Sequence, residues 1–182
     1  MSTEDYPVGV KFTYYQLYGF GTVPGGGVRE TEMKLWAKAL CYILSGDGEA
    51  SKDELFFAKG FLSSKGFPVE IVDLVDEYAR EGETKSPKEA ASEIKEILSH
   101  SEEMSKAGVP ILHAAITAAF VDGLADGEVA ATLAIAKEMG VSEDKVQSLI
   151  DLVKEEDALH KKRIKVLFPT GHPCLMRKFM PK

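Results

Sequence analysis

The chain contains 182 residues, of which 45% are hydrophobic and 28% charged, and it has a formal net charge of −7 at pH 7. This composition is ordinary for a globular protein of one domain, or of two tightly packed halves, with enough apolar side chains for a full core. Two cysteines, Cys41 and Cys174, do not make a disulfide framework. No apolar run approaches the roughly 20 residues of a membrane span, so we expect no transmembrane segment.

Charge is distributed unevenly along the chain. From Lys161 onward there are seven basic residues and no acidic one, whereas the preceding part has 15 Lys and Arg against 29 Asp and Glu. An acidic body repels nucleic acid and concentrates cations, and a basic tail can dock on that body or on an acidic partner. We therefore expect no nucleic-acid partner, while a protein partner or a homo-oligomer stays open. The acidic start of the chain lacks the basic and apolar regions of a signal peptide, which favours a cytoplasmic location.

Residues 1–29 differ in composition from the rest and form a predicted N-terminal arm. The arm ends in Pro24-Gly25-Gly26-Gly27, a sequence typical of a flexible turn. Its aromatic residues are Phe12, Tyr14, Tyr15, Tyr18 and Phe20. We expect them to cover an apolar surface of the body, and the alternative is a platform on which a ligand stacks. The predicted divisions are this arm, a helical domain over 30–167 and a basic tail over 168–182.

Helical periodicity begins at Glu30 and predicts an all-α fold of about seven helices. Ser51 with Glu54, and Ser86 with Pro87 and Glu89, have the spacing of helix starts with a capping box. The predicted helices span 30–45, 51–66, 68–81 and 86–104, then one from Pro110, one that ends at Gly140, and one from Ser142 to Leu167.

An acidic glycine turn occurs twice between helices. Gly46-Asp47-Gly48-Glu49 is matched by Ala125-Asp126-Gly127-Glu128, with an offset of 79 residues between the two aspartates. The helix, glycine stop and second helix that follow each turn occur in the same order. We therefore predict an internal duplication, with pseudo-symmetric halves over about 33–81 and 110–155.

The spacing around each turn partly resembles a calcium-binding EF-hand loop, which has Asp at position 5, Gly at 6 and a bidentate Glu at 12. Asp47, Gly48 and Glu54 fit that spacing in the first copy, but Ile43 and Ser45 occupy positions 1 and 3. In the second copy the matching residues are Asp122 and Asp126, and the closing position is Leu133. Neither copy alone supplies the six or more oxygen ligands that calcium requires.

A structural interpretation of these residues is equally specific. Asp and Gly favour turns, and Glu54 completes a capping box for the next helix. If the two halves bring their turns together, however, two incomplete loops form one site for a divalent cation, with calcium favoured. The candidate metal ligands are Asp47, Glu49, Glu54, Asp122, Asp126 and Glu128.

No sequence pattern points to a particular catalytic reaction. The chain lacks a nucleophile elbow, a phosphate-binding loop, a zinc knuckle and a Rossmann glycine pattern. Glu156 with His160, and Glu96 with His100, are spaced to share a metal, but this spacing is common on charged helices. These observations favour a non-enzymatic protein. The alternative is an enzyme or small-molecule-binding protein with a pocket between the body and the aromatic arm, in which the candidate side chains are Tyr14, Tyr15, His113 and His172.

Over roughly residues 33–155 the chain resembles the TerB-like family of tellurite-resistance and DnaJ-associated domains. The resemblance rests on the segments 45–54 and 120–128, and on the helix that ends at Gly140. It implies a seven-helix fold with pseudo-twofold halves and an acidic surface that binds divalent metal, in stress-response or membrane-associated assemblies. The implied ligands are Asp47, Glu54 and Asp126, and Leu133 departs from the family pattern at the closing Glu.

Overall fold

The computed structural model describes residues 29–46, 48–120 and 126–169, without the side chains of Glu103 and of residues 126–128. Within these ranges the chain is all-helical and contains no strand. The predicted aromatic arm, apart from Arg29, and the predicted basic tail, apart from Phe168 and Pro169, lie outside the described residues.

Helices occupy most of the described chain. In order they are α1 (Glu30–Leu44), α2 (Lys52–Ser64), α3 (Val69–Val72), α4 (Val75–Glu83), α5 (Pro87–Leu98), α6 (Glu102–Ser105), α7 (Gly108–Ala119), α8 (Asp126–Glu138) and α9 (Glu143–Leu167). The segments α3 and α6 are single turns of four residues, and the other seven contain nine or more. The predicted all-α fold of about seven helices is confirmed, and the internal repeat stays a prediction.

Helices α2 and α5 begin at the capping boxes that their sequences predict. The Oγ of Ser51 accepts a hydrogen bond from the Glu54 amide at 3.2 Å, and the Glu54 carboxylate accepts one from the Ser51 amide at 2.7 Å. Ser86 and Glu89 repeat this arrangement, with Pro87 as the first residue of α5. Each box satisfies amides that the helix itself leaves without partners.

Three predicted helix boundaries are wrong. The helix predicted over 68–81 is divided into α3 and α4, because the Leu74 amide bonds the Ile71 carbonyl in a tighter turn. The helix predicted to continue to 104 ends at Leu98, where Ser99 hydrogen-bonds the backbone and Ser101 begins the new turn α6. Helix α7 begins at Gly108, two residues before Pro110.

Helix α1 is the centre of the core. It packs against α2, α3, α4, α5, α7 and α8, and α9 packs against α7 and α8. Nine of its residues are buried, among them Leu40, Cys41 and Tyr42, which are fully inaccessible. Burial of each large apolar side chain contributes about 1.5–3 kcal/mol, so this helix holds the fold together. Cys41 is thus a small residue of the core.

Candidate metal centre

The first acidic turn follows directly from the C-terminal end of α1. Ser45 is buried, and its hydroxyl donates to the Ala79 carbonyl of α4 at 3.0 Å. The Gly48 amide then donates to the Ser45 carbonyl at 3.1 Å, and Gly48 has a φ of +144°. Only glycine adopts this backbone conformation readily, so the turn requires Gly48 as the sequence predicts.

This turn packs directly against α8, the helix that contains the second acidic motif. A Cβ added to Gly46 would lie 2.9 Å from Cδ1 of Ile135 and 3.4 Å from Cβ of Ala131. Asp126 is the first residue of α8 and precedes Ala131 by five positions, or about 7.5 Å along the helix axis. The first turn therefore packs on the middle of α8, five to nine residues after Asp126, where the second motif enters that helix.

Glu54 lies on the same side of the bundle, near residues at the end of α1 and in α8. Its side chain is 4% exposed and accepts a hydrogen bond from the Ser51 amide. It also borders a cavity of about 10 Å³. The other residues around this cavity are Ile43, Leu44, Ala115, Ala119, Ala131 and Thr132. The cavity has room for little more than one water molecule, so it is too small for an organic ligand.

The remaining candidate ligands are only partly described. Glu49 is exposed in the first turn. Asp47 and Asp122 lie outside the described residues. Asp126 and Glu128 belong to the first turn of α8 instead of preceding it, which corrects the predicted start of that helix. Acidic residues in this position also stabilise a helix through its dipole. Among the side chains that the structure describes, no three His, Cys, Asp or Glu residues converge as metal ligands.

The histidine pairs predicted at a spacing of four residues form no such cluster either. Instead, Nε2 of His113 on α7 lies 3.3 Å from Oε2 of Glu156 on α9. The two atoms are close but are not aligned as a hydrogen bond. This contact joins helices that are distant in sequence, so no local pattern indicates it. The position of His172 and the predicted pocket beneath the aromatic arm lie outside the described residues.

A polar network around Tyr42 was also not predicted. The Tyr42 hydroxyl donates to Oε2 of Glu93 at 3.0 Å, and Nζ of Lys85 lies 2.5 Å from the other oxygen of that carboxylate. Nζ of Lys38 lies 2.9 Å from Oε1 of Glu81. Burial raises the pKa of Tyr42 well above its usual range, and its hydrogen bonds to Glu81 and Glu93 raise it further. Tyr42 is therefore a permanent donor that ties α1 to α4 and α5.

The helices around a central α1, with an acidic glycine turn packed on α8, define an all-α protein. A crystal structure of a tellurite resistance protein from Nostoc punctiforme matches this fold with a TM-score of 0.72 and 26% sequence identity, over 91% of this chain and 95% of that one. The resemblance to the TerB-like family that the sequence predicts is thus confirmed.

Two further comparisons bear on this assignment. No model of a known protein family matches the chain, and no curated protein matches it. Within the described residues, no helix is long and apolar enough to cross a membrane. The resemblance to the family therefore rests on the fold, on the sequence identity to the Nostoc protein and on the two acidic motifs.

Proposed function

We propose that the protein is a non-enzymatic TerB-type domain of a stress response that binds a divalent cation at its paired acidic turns. Calcium is the favoured ion. The proposed ligands are drawn from the residues predicted from the sequence, which are Asp47, Glu49, Glu54, Asp122, Asp126 and Glu128. The tellurite-resistance role of the Nostoc relative supports the assignment to a stress response.

The observation that carries this proposal is the packing of the first turn against α8, through Gly46, Ala131 and Ile135. As loops, the two motifs are each incomplete. Together Asp47, Glu54, Asp122 and Asp126 supply four carboxylates, each with one or two oxygens for a metal. Calcium takes six to eight oxygen ligands, so the combined set is sufficient where neither half is.

The ion that fits this donor set is a hard cation. The candidate ligands are all carboxylates, and no cysteine or histidine is among them, which favours calcium or magnesium over zinc. Magnesium demands near-ideal octahedral geometry and retains several waters, whereas calcium accepts irregular carboxylate arrangements. Side chains from two separate turns therefore suit calcium better than magnesium.

Calorimetric titration of the full chain with calcium chloride tests the proposal. We expect binding by the unaltered protein and at least tenfold weaker binding by the double variant Asp47→Asn with Asp126→Asn. The matched control is Glu70→Gln with Glu77→Gln, which also removes two acidic charges from exposed positions. If calcium does not bind, or if both variants weaken binding equally, the acidic turns are not a specific site.

An adaptor role is compatible with the same site, because a cation that joins two turns changes the surface they present. Titration with calcium distinguishes a domain that serves only as an adaptor from one that binds the cation. A domain that serves only as an adaptor retains its fold and takes up no calcium. A cation-binding domain takes up calcium and becomes more stable, by about 2.7 kcal/mol when the free ion is present at 100 times its dissociation constant.

A further inference from the structure

Four aromatic side chains of α1, α2 and the loop after α2 form a cluster at the surface of the body. The Trp36 ring stacks on Phe61 with 5.7 Å between the centroids, and Phe61 stacks in turn on Phe57 at 6.1 Å. Trp36 also contacts the Phe67 ring, at 5.9 Å and a tilt of 59°. All four side chains are only partly buried. Large apolar side chains that are exposed together commonly mark a contact surface.

This aromatic cluster lies on the face of α1 at which the segment 1–28 joins the body. Arg29 is held there by two hydrogen bonds, since its carbonyl accepts from the Met33 amide at 3.0 Å and its amide donates to Glu32 at 3.0 Å. Trp36 follows Arg29 by seven residues, so the two lie within about 20° of each other around the helix and about 10 Å apart along it. The segment 1–28 therefore starts two turns from Trp36, on the same face.

The first turn of α1 also favours one direction for the chain that precedes it. This turn has a capping box, and Val28 and Met33 occupy the two positions that flank the box. Apolar residues at these positions form a hydrophobic staple, which fixes the angle at which the chain enters a helix. Met33 lies about one turn from Trp36, so the staple directs the segment toward the aromatic cluster. The Pro-Gly-Gly-Gly sequence at 24–27 permits the reversal that carries the segment back along α1.

The composition and the length of the segment fit this surface. Five of the nine residues 12–20 are aromatic. Aromatic rings pair favourably with one another in stacked or tilted contacts, which are the arrangements already present in the cluster. Phe20 precedes Arg29 by nine residues, which span up to about 30 Å when extended. That length is ample for the aromatic residues of the segment to reach every ring of the cluster.

We propose that residues 12–20 dock on the aromatic cluster of the same chain, next to Trp36. The aromatic side chains of the segment and of the cluster then leave water together, which is the driving force for the contact. Docking extends the core around the first half of α1. The first acidic turn follows the opposite end of α1, so this contact does not depend on cation binding.

Fluorescence of the full chain tests the docking, because Trp36 is its only tryptophan and lies in the cluster itself. The test variant is Tyr14→Ser with Tyr15→Ser and Tyr18→Ser, which changes no residue of the described helices. With selective excitation of tryptophan, we expect acrylamide to quench the emission at least twice as strongly in this variant as in the unaltered protein. The physical reason is that loss of the docked rings exposes the indole to water.

The matched control is Phe56→Ser with Leu159→Ser and Val166→Ser, which removes three apolar side chains that are 65%, 56% and 70% exposed outside the cluster. Its quenching should equal that of the unaltered protein. Unchanged quenching in the tyrosine variant, or an equal increase in both variants, would overturn the proposal. Amide hydrogen exchange along α1 should stay the same in the tyrosine variant. Faster exchange throughout α1 would show that the whole fold loosens, which would also contradict docking confined to this surface.

A mixture of two variants separates docking within one chain from docking onto a second copy. The variant Trp36→Phe has no tryptophan but retains the segment 1–28, so it supplies this segment to the tyrosine variant without adding tryptophan fluorescence. We expect the quenching of the tyrosine variant to remain high in the mixture. A return to the quenching of the unaltered protein would show that the segment docks between copies, and it would contradict docking within one chain.

Discussion

At the scale of single residues, the Glu54 carboxylate both caps α2 and lies buried beside α8. Its carboxylate caps α2 through the Ser51 amide, which is the role that its spacing predicts. It is also buried beside α8, next to the cavity that Ala131 and Thr132 border. Glu89 has the same capping role in α5 but lies in an exposed box. A comparison of Glu54 with Glu89 therefore distinguishes the effect of helix capping from any contribution to a cation site.

Substitution of Glu54 by Gln retains the capping geometry, because Gln also completes a capping box. We expect Glu54→Gln and Glu89→Gln to lower the free energy of unfolding by similar small amounts, about 0.5–1 kcal/mol, in the absence of calcium. With calcium present, only Glu54→Gln should lose the added stability. Thermal unfolding of both variants with and without calcium provides the comparison, and an equal calcium response in the two would show that Glu54 only caps.

Gly82 is required by a close helix contact. A Cβ at this position would lie 3.0 Å from Cβ of Ser45 and 3.3 Å from Cα of Tyr42. Since Cα of Tyr42 belongs to the backbone of α1, α4 would have to move away. Gly60, in α2, has no atom within 4 Å of an added Cβ. These two glycines are a matched pair for the same substitution.

We expect Gly82→Ala to destabilise the protein by about 1–3 kcal/mol through overpacking. Gly60→Ala should stabilise it by up to about 1 kcal/mol, because Ala is the better helix former. Urea unfolding of the two variants measures both changes. A stabilising effect of Gly82→Ala would show that α1 and α4 are farther apart than described.

At the scale of secondary structure elements, the Tyr42 network joins α1 to α4 and α5. Partial burial alone would raise the pKa of Glu81, but its hydrogen bond to Tyr42 and its ion pair with Lys38 outweigh that effect and lower it. A lowered pKa in the folded state contributes stability above the unfolded pKa of about 4.5. That contribution is lost as the pH falls through the folded pKa.

Tyr42→Phe should therefore cost about 1 kcal/mol at pH 7, because it removes the hydrogen bond that the Tyr42 hydroxyl donates to Glu93 and the interaction of that hydroxyl with the ionised Glu81 carboxylate. The difference between the variant and the unaltered protein should shrink as the pH falls from 5 to 3. Tyr78→Phe is the control, since Tyr78 lies near the same lysine without a hydrogen bond to these carboxylates. If the difference in the free energy of unfolding between Tyr42→Phe and the unaltered protein does not change with pH, the Tyr42 hydroxyl is not coupled to the ionisation of Glu81.

The helix starts were predictable and several helix ends were not, for a physical reason. Capping boxes such as Ser51 with Glu54 are local, so the sequence contains all of their atoms. The break at Leu74 and the end of α5 at Leu98 involve tight turns that helical periodicity alone does not distinguish. Contacts such as His113 with Glu156 depend on tertiary packing and have no local pattern.

At the scale of the whole molecule, the other helices of the core pack around α1. The acidic residues of both turns could be identified as candidate ligands from the sequence. Whether the two turns approach one another could not be predicted from it. The packing of Gly46 on α8 supports this approach, because it positions the first turn beside Ala131 and Ile135, about one and a half to two and a half helical turns from Asp126. The candidate site is thus a property of the fold and not of either motif alone.

The most direct measurement of this paired site is native mass spectrometry of the full chain during titration with calcium, with magnesium as a parallel titration. If two incomplete loops form a single site, one calcium ion should bind each chain, and Asp47→Asn should weaken that binding. Two bound ions would mean that each turn acts independently. No bound ion, or binding that Asp47→Asn leaves unchanged, would contradict the proposal that the acidic turns form a shared cation site.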